Sequence, residues 1–265
     1  MERGARHMTS RAPKVFITGA SSGLGAALAR HYAGRGAVLG LAARRGEALE
    51  ALAVELPVTC FTYPLDVTDA SATAAAGADF IARAGLPDIV IANAGISLGT
   101  LTEEAADLEA FGRVMQANLL GMVHTFHPFV ATMKRAGQGR LVGISSVAGI
   151  RGMPGAGAYC ASKAAANTYL ESLRVELRGS GVGVTNILPG YIATPMTAVN
   201  KYPMPFILPV GEAARRIVRQ IDRGASRAVV PWQMAVVAKL LSMLPDPLFD
   251  RLFARAGRKS RDLPL

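Results

Sequence analysis

Two features of this sequence predict an α/β fold with a doubly wound parallel sheet of about seven strands covered by helices on both faces. Short apolar runs bounded by turn residues alternate with longer, alanine-rich stretches of helical character. The runs are also almost continuously apolar rather than alternating in and out, as strands buried on both faces of a parallel sheet are. In chain order they are KVFITG, AVLGLAA, VTCFTYPL, DIVIANAG, GRLVGISS, GVGVTNILPG and RAVVPW. Helical segments such as Gly23–Gly36, Asp107–Ala136 and Ala158–Gly179 lie between them. Strand–helix–strand units of this kind cross over right-handedly and place ligand sites at the carboxyl ends of the strands.

Length and composition support one large domain. The chain has 265 residues, 51% of them hydrophobic and 18% charged, so a sizeable core can be buried. Neither a composition shift nor a Gly/Ser linker divides it, and no internal repeat is present. The reading is a basic extension over residues 1–13, a domain over 14–231 and an amphipathic helical tail over 232–265.

The net charge of +10 is concentrated at the two ends. Arg3, Arg6, Arg11 and Lys14 at the start, with Arg251, Arg255, Arg258, Lys259 and Arg261 at the end, face only Glu2 and Asp262. The ends therefore supply +7 and the body +3, which argues against a phosphate-tracking nucleic-acid surface. They read as solvated tails that could also favour an anionic membrane or an acidic partner. With only Cys60 and Cys160, no disulfide framework is expected. No signal peptide or membrane span is expected either, so the protein reads as cytoplasmic.

The first apolar run ends in TGASSGLG, Thr18 to Gly25, and a helix follows at once. Glycines there let the backbone approach a pyrophosphate, and the helix N-terminus offers free N–H groups. The second run ends in Ala43, Arg44 and Arg45, where a carboxylate would otherwise bind a ribose 2′-hydroxyl. An arginine pair with no acid suits a 2′-phosphate, so NADP(H) is expected over NAD(H).

Tyr159 and Lys163 stand one helical turn apart in a helix otherwise built from small residues. A nearby cation stabilises a phenolate, which would turn this tyrosine into a proton-transfer group near neutral pH. Y-x-x-x-K alone carries little weight. Its company carries more: Asn93 in IANAG, Asn118 in QANLLG, and Ser145 with Ser146 in ISSVAG.

Taken in order, TGxxxGxG at Thr18–Gly25, LDV at Leu65–Val67, NAG at Asn93–Gly95, Asn118, Ser146, Tyr159 with Lys163 and PGYIAT at Pro189–Thr194 resemble the short-chain dehydrogenase/reductase family. The resemblance spans Lys14 to Pro231, covers its single-domain NADP-preferring branch, and implies a Rossmann-type fold. It implies that Tyr159 is the general acid in carbonyl reduction and that Ser146 hydrogen-bonds the substrate carbonyl. Ser146 is preferred to Ser145 because the family's serine lies thirteen residues before the tyrosine. Lys163 would lower the Tyr159 pKa and bind the nicotinamide ribose, and Asn118 would kink its helix and hold a water that relays protons.

Cofactor contacts implied in the same way are Gly19, Ser21, Ser22, Gly23, Leu24 and Gly25 on the turn, then Asp66 and Val67 at the adenine. Asn93, Ala94 and Gly95 line the trough, and Pro189, Gly190, Ile192 and Thr194 approach the nicotinamide. One departure stands out: many NADP-dependent members have a basic residue before the second glycine, where this chain has Ser22. The NADP expectation thus rests on Arg44, with Arg45 beside it.

Beyond the motifs, an apolar segment over about residues 191–210 is expected to form a substrate lid, with Met196, Tyr202, Met204 and Phe206 as substrate contacts. Cys160 reads as a small buried residue, His124 and His127 read as packing, and no metal site is expected. The tail reads as an apolar helix followed by an amphipathic one that docks on the domain, a sister subunit or a membrane.

The expected activity is interconversion of a carbonyl and a secondary alcohol with NADP(H), on an apolar or acyl-bearing substrate. A free ketone or aldehyde ranks just ahead of a 3-oxoacyl thioester on an acidic carrier protein. A membrane-associated lipid-modifying reductase and a non-catalytic nucleotide-binding sensor are the rivals. The resemblance implies a homodimer or homotetramer built on the segments Asp107–Ala136 and Ala158–Gly179.

Overall fold

Alternate residues of the strands belong to different cores, which is what both-face burial requires. The computed structural model describes residues 12–200, 202–254, 256–259 and 261. Arg3, Arg6, Arg11, Arg255, Asp262 and nearly all of the expected N-terminal extension lie outside them. The strands are β1 (Lys14–Thr18), β2 (Val38–Ala43), β3 (Cys60–Pro64), β4 (Ile89–Ala92), β5 (Gly139–Ile144), β6 (Val182–Pro189), β7 (Ile192–Ala193), β8 (Leu208–Pro209) and β9 (Arg227–Val230). Seven of them form one parallel sheet in the order β3-β2-β1-β4-β5-β6-β9, and β7 pairs with β8 apart from it. All seven apolar runs of the sequence are strands of the main sheet.

The helices are α1 (Gly23–Ala33), α2 (Gly46–Glu55), α3 (Ala70–Ala84), α4 (Asp107–Met115), α5 (Gly121–Ala136), α6 (Gly157–Glu176), α7 (Pro195–Ala198), α8 (Val210–Asp222), α9 (Gln233–Met243) and α10 (Asp246–Phe253). On one face of the sheet Val15, Ile17, Leu39 and Ile91 pack with Leu28 and Tyr32 of α1 and with Ile217 and Ile221 of α8. On the other face Phe16, Val90 and Leu141 pack with Phe80 of α3, Phe126 and Phe129 of α5, and Leu170 of α6. Burying such side chains supplies about 1.5–3 kcal/mol each, and the sheet shares that contribution between two cores.

The sequence alone suggests one helix over Asp107–Ala136. The structure instead interrupts it with a π-helical turn, Gln116–Leu120, between α4 and α5. The order in which strands are added reverses between β1 and β4, all strands staying parallel, so the loops after those two strands part and leave a crevice. The glycine turn, Asn93, Ser146 and Pro189 all sit at the carboxyl ends of β1, β4, β5 and β6 around that crevice.

Candidate active site

A cleft of about 910 Å³ opens at these strand ends. Its walls include Gly19, Ser21–Leu24, Arg44, Arg45, Asp66, Val67, Asn93–Gly95, Ser146, Tyr159, Lys163, Pro189, Gly190, Ile192 and Thr194. Two of the predicted catalytic and cofactor residues stand apart: Gly25 lies under the turn, and Asn118 lies behind the wall.

The turn is held from below. Asn93 Nδ2 donates to the carbonyls of Thr18 and Gly19 at 3.0 and 3.2 Å, and the Asn93 N–H donates to Thr18 Oγ1 at 3.2 Å. A Cβ at Gly25 would lie 2.1 Å from the Gly19 carbonyl oxygen, so only glycine lets α1 start this close to β1. The result is a shallow cradle over the N-terminus of α1, whose first turn carries no acidic residue. Arg44 and Arg45 project from the end of β2 and are exposed, and Arg45 Nη2 donates to Ser21 Oγ at 3.2 Å. Asp66 is folded into its own turn, accepting from Thr68 N and Thr68 Oγ1 at 2.9 Å each. A glycine cradle at a helix N-terminus with exposed arginines beside it is chemically suited to a dinucleotide.

The other end of the cleft collects the hydroxyl, phenol and ammonium groups. Ser146 caps the 3₁₀ turn Val147–Gly149, its Oγ accepting from Ala148 N at 3.1 Å and donating to the Pro189 carbonyl at 3.5 Å. Ser145 points away and bonds the Lys163 carbonyl and Asn167 Oδ1 at 3.1 and 2.6 Å, so of the two serines Ser146 faces the phenol. Burial pushes the Tyr159 phenol above its ordinary value, and a hydrogen bond with Ser146 opposes the shift. Lys163 Nζ donates to the Ile144 carbonyl at 2.9 Å and lies 5.8 Å from the Tyr159 ring centroid. Burial, and then repulsion from Lys259, lowers Lys163 to about 8. Desolvation is the largest cause acting on the phenol and sets the direction of its shift.

Asn118 sits at the centre of the π-helical turn and is fully buried. Its Oδ1 accepts from Ile96 N at 2.8 Å, and its Nδ2 donates to the Ile96 carbonyl and Ser162 Oγ at 3.0 and 2.9 Å. The side chain therefore ties the loop after β4 to α6. Gly95 fits between the two: a Cβ there would lie 2.8 Å from Asn118 Oδ1 and 3.6 Å from Lys163 Nζ.

Of the four expected substrate contacts only Met196 lines the cleft. Phe206 is half exposed and has φ 57°, Met204 accepts from Asn200 Nδ2 at 3.6 Å, and Tyr202 packs on Tyr191 with ring centroids 6.3 Å apart. The segment Pro195–Pro209 folds partly on itself and on the C-terminal tail, which withdraws most of its apolar side chains from the cleft. Cys160 is buried and its thiol is pushed up by burial. His124 packs as expected, Nδ1 lying 2.9 Å from the Val67 carbonyl, whereas His127 is exposed. Among the described residues no cluster could hold a metal ion, and no helix is long and apolar enough to cross a membrane.

Sequence reasoning did not anticipate Lys259, whose Nζ lies 4.7 Å from the Tyr159 ring centroid, nor Ser97, which it bonds. Its only signal was charge in a basic tail, and the contact with Ser97 spans 162 positions of the chain.

The profile of the short chain dehydrogenase family matches residues 13–203. The chain belongs to that family. An uncharacterised oxidoreductase of Myxococcus xanthus is 42% identical over 239 residues, 89% of this chain and 94% of that protein. A short-chain dehydrogenase from Sphingobium yanoikuyae, solved with NADPH, superposes with a TM-score of 0.75 at 28% identity, covering 88% of this chain and 97% of the other. A 3-oxoacyl-[acyl-carrier protein] reductase from Brucella melitensis, solved with NAD, gives 0.72 at 29% identity, covering 84% and 90%. This short-chain dehydrogenase is thus a nucleotide-binding oxidoreductase.

Proposed function

We propose that the protein reduces a carbonyl to a secondary alcohol with NADPH, and catalyses the reverse with NADP⁺, using Tyr159 as general acid and base. The observation that carries this reading is the meeting of Tyr159, Ser146 and Lys163 at one end of a cleft whose other end is a glycine cradle beside two arginines. The cofactor would supply a hydride at its nicotinamide ring. The chain's residues bind, orient and move the proton. Gly19, Ser21–Gly25 and the α1 N-terminus receive the pyrophosphate, Asp66 and Val67 meet the adenine, and Arg44 with Arg45 takes the 2′-phosphate. Asn93–Gly95, Pro189, Gly190, Ile192 and Thr194 bound the nicotinamide end. A phenol held above its ordinary value stays protonated at neutral pH, which suits a donor to the oxygen that becomes an alkoxide. Ser146 swings its weak 3.5 Å hydrogen bond from Pro189 to the substrate oxygen. Lys163 supplies positive charge beneath, and Asn118 fixes the loop beside it.

The substrate in this reading is an apolar or acyl-bearing carbonyl compound beside Met196. The Brucella melitensis neighbour supports an acyl-bearing one. The experiment is NADPH oxidation against ketones, aldehydes and 3-oxoacyl thioesters of graded length, with NADH in parallel. Arg44→Ala should raise KM for NADPH about tenfold, the loss of a charge-assisted contact, and leave KM for NADH nearly unchanged. Equal use of NADH by the wild type would overturn the cofactor assignment. Tight NADPH binding with no carbonyl reduced would favour a nucleotide sensor.

A further inference from the structure

The C-terminal tail brings a charged group, Lys259, to the Tyr159 ring. After α10 the described residues 256–259 and 261 are anchored at several points. Gly257 packs on Tyr202, where a Cβ would lie 2.7 Å from Tyr202 Cβ, and the Arg258 side chain covers Gly155 at 3.0 Å from the position of a Cβ there. Arg261 Nε donates to Asp107 Oδ2 at 2.8 Å, and its Nη2 lies 3.3 Å from Glu104 Oε2. Between these anchors Lys259 Nζ contacts Ser97 Oγ and stands over the Tyr159 ring at 4.7 Å. Lys163 faces the same ring at 5.8 Å. Two ammonium groups therefore flank one phenol, and among the described residues no carboxylate pairs with either. An ammonium withdrawn from water without a counter-charge is costly, so a bound anion that completes it is favoured.

We propose that Lys259 is a specificity-determining residue that selects carbonyl substrates carrying an anionic group, a carboxylate or a phosphate. The proposal rests on the oxidoreductase reading for its substrate and on the tail geometry for its anion. Lys163 serves the cofactor side of the phenol; Lys259, reaching over from the opposite end of the chain, serves the side where substrate enters. Arg258, the preceding residue, is exposed with its side chain against Gly155 and adds positive potential nearby.

The test uses the full-length protein, with and without NADPH, and three unreactive probes of one chain length: octanoate, octyl phosphate and octanamide. Calorimetry should show one or both anions binding the wild type at least tenfold tighter than the amide, and the tighter anion identifies the head group. Lys259→Met should abolish that preference and Lys259→Arg should keep it, with thermal melts matched to the wild type. Octanamide binding as tightly as both anions, or a preference that survives Lys259→Met, would overturn the proposal. A turnover arm compares 4-oxooctanoate with its methyl ester. Acid preferred by the wild type but not by Lys259→Met supports both readings. Anion-selective binding with no carbonyl reduced leaves the Lys259 site standing and counts against the reductase. Acid and ester turned over alike by wild type and variant sinks the anion site alone. Faster turnover of both by Lys259→Met would mean that the tail obstructs the cleft, and would also overturn the proposal.

Discussion

Tyr159 and its neighbours make two predictions at the scale of single residues. Tyr159→Phe removes one oxygen from a ring whose packing is otherwise unchanged, so folding and NADPH binding should persist. Turnover should fall about 10²–10⁴-fold, the usual size of a general acid's contribution, read as single-turnover NADPH oxidation beside NADPH fluorescence titration. A Phe variant that turns over normally would assign the proton to another group. The second prediction concerns pH. Burial draws Lys259 down to about 8, with the Cys160 thiol opposing slightly, so its charge is present below that pH and lost as pH rises through it. Tyr159 and Cys160, the other groups facing it, are both held above their ordinary values by burial. Lys163 titrates over the same range, but it meets charged and neutral substrates alike. The ratio of 4-oxooctanoate to methyl-ester turnover should therefore decline between roughly pH 7 and 9, while each separate rate carries the Lys163 titration as well. A ratio flat across that window would show that Lys259 does not carry the selectivity.

Elements differ in how plainly the sequence announces them. The strands of the main sheet were legible because a segment buried on both faces must be apolar at nearly every position, as VLGLAA in β2 is. The cleft was legible at TGASSGLG and at the tyrosine–lysine pair because steric or chemical necessity fixes those residue types. The π-helical turn was not, since widening a helix by one residue leaves the apolar periodicity of α4 and α5 almost intact. The tail's course was hidden for another reason: its anchors, Asp107, Gly155 and Tyr202, are far away in sequence and carry no pattern that points to residues 257–261. The π-helical turn yields its own prediction. Asn118→Ala would remove the partner of the part-buried N–H and carbonyl of Ile96, which costs at most about 1–3 kcal/mol per group. For a chain this size that lowers Tm by several degrees. Activity should fall further than stability predicts, because the loop carrying Gly95 loses its tie to α6. Asn118→Asp, which keeps the acceptor for Ile96 N–H, should recover part of the melting temperature but not the bond to the Ile96 carbonyl.

At the scale of the whole molecule, two helical surfaces among the described residues keep several apolar side chains on the outside. One is the layer where α4 packs on α6: Leu108, Phe111, Leu120 and Val175 are exposed there to between 39% and 66%. The other is the tail, where Trp232, Val236, Leu240 and Met243 follow one another at helical spacing along α9, with Leu248 and Leu252 on α10. Met234, Ala238 and Phe249 bury the opposite side of these helices, and Arg151 ties them to the domain through the Leu241 and Leu244 carbonyls and Asp246. The tail thus docks on its own domain with one face and presents the other. Contiguous apolar surface of this kind marks contact sites. If the α4–α6 layer is the subunit interface, charging its apolar positions should dissociate the assembly without unfolding the protomer. The double substitution Leu108→Glu and Val175→Glu should lower the mass in analytical ultracentrifugation by a factor of two or four, with an unchanged far-ultraviolet spectrum. The same exchange on α9, Val236→Glu with Leu240→Glu, should leave that mass as it was and instead reduce flotation with anionic vesicles, if the tail meets a membrane. Dissociation by the α9 pair and not by the α4–α6 pair would move the interface to the tail. An assembly indifferent to both would place it on neither.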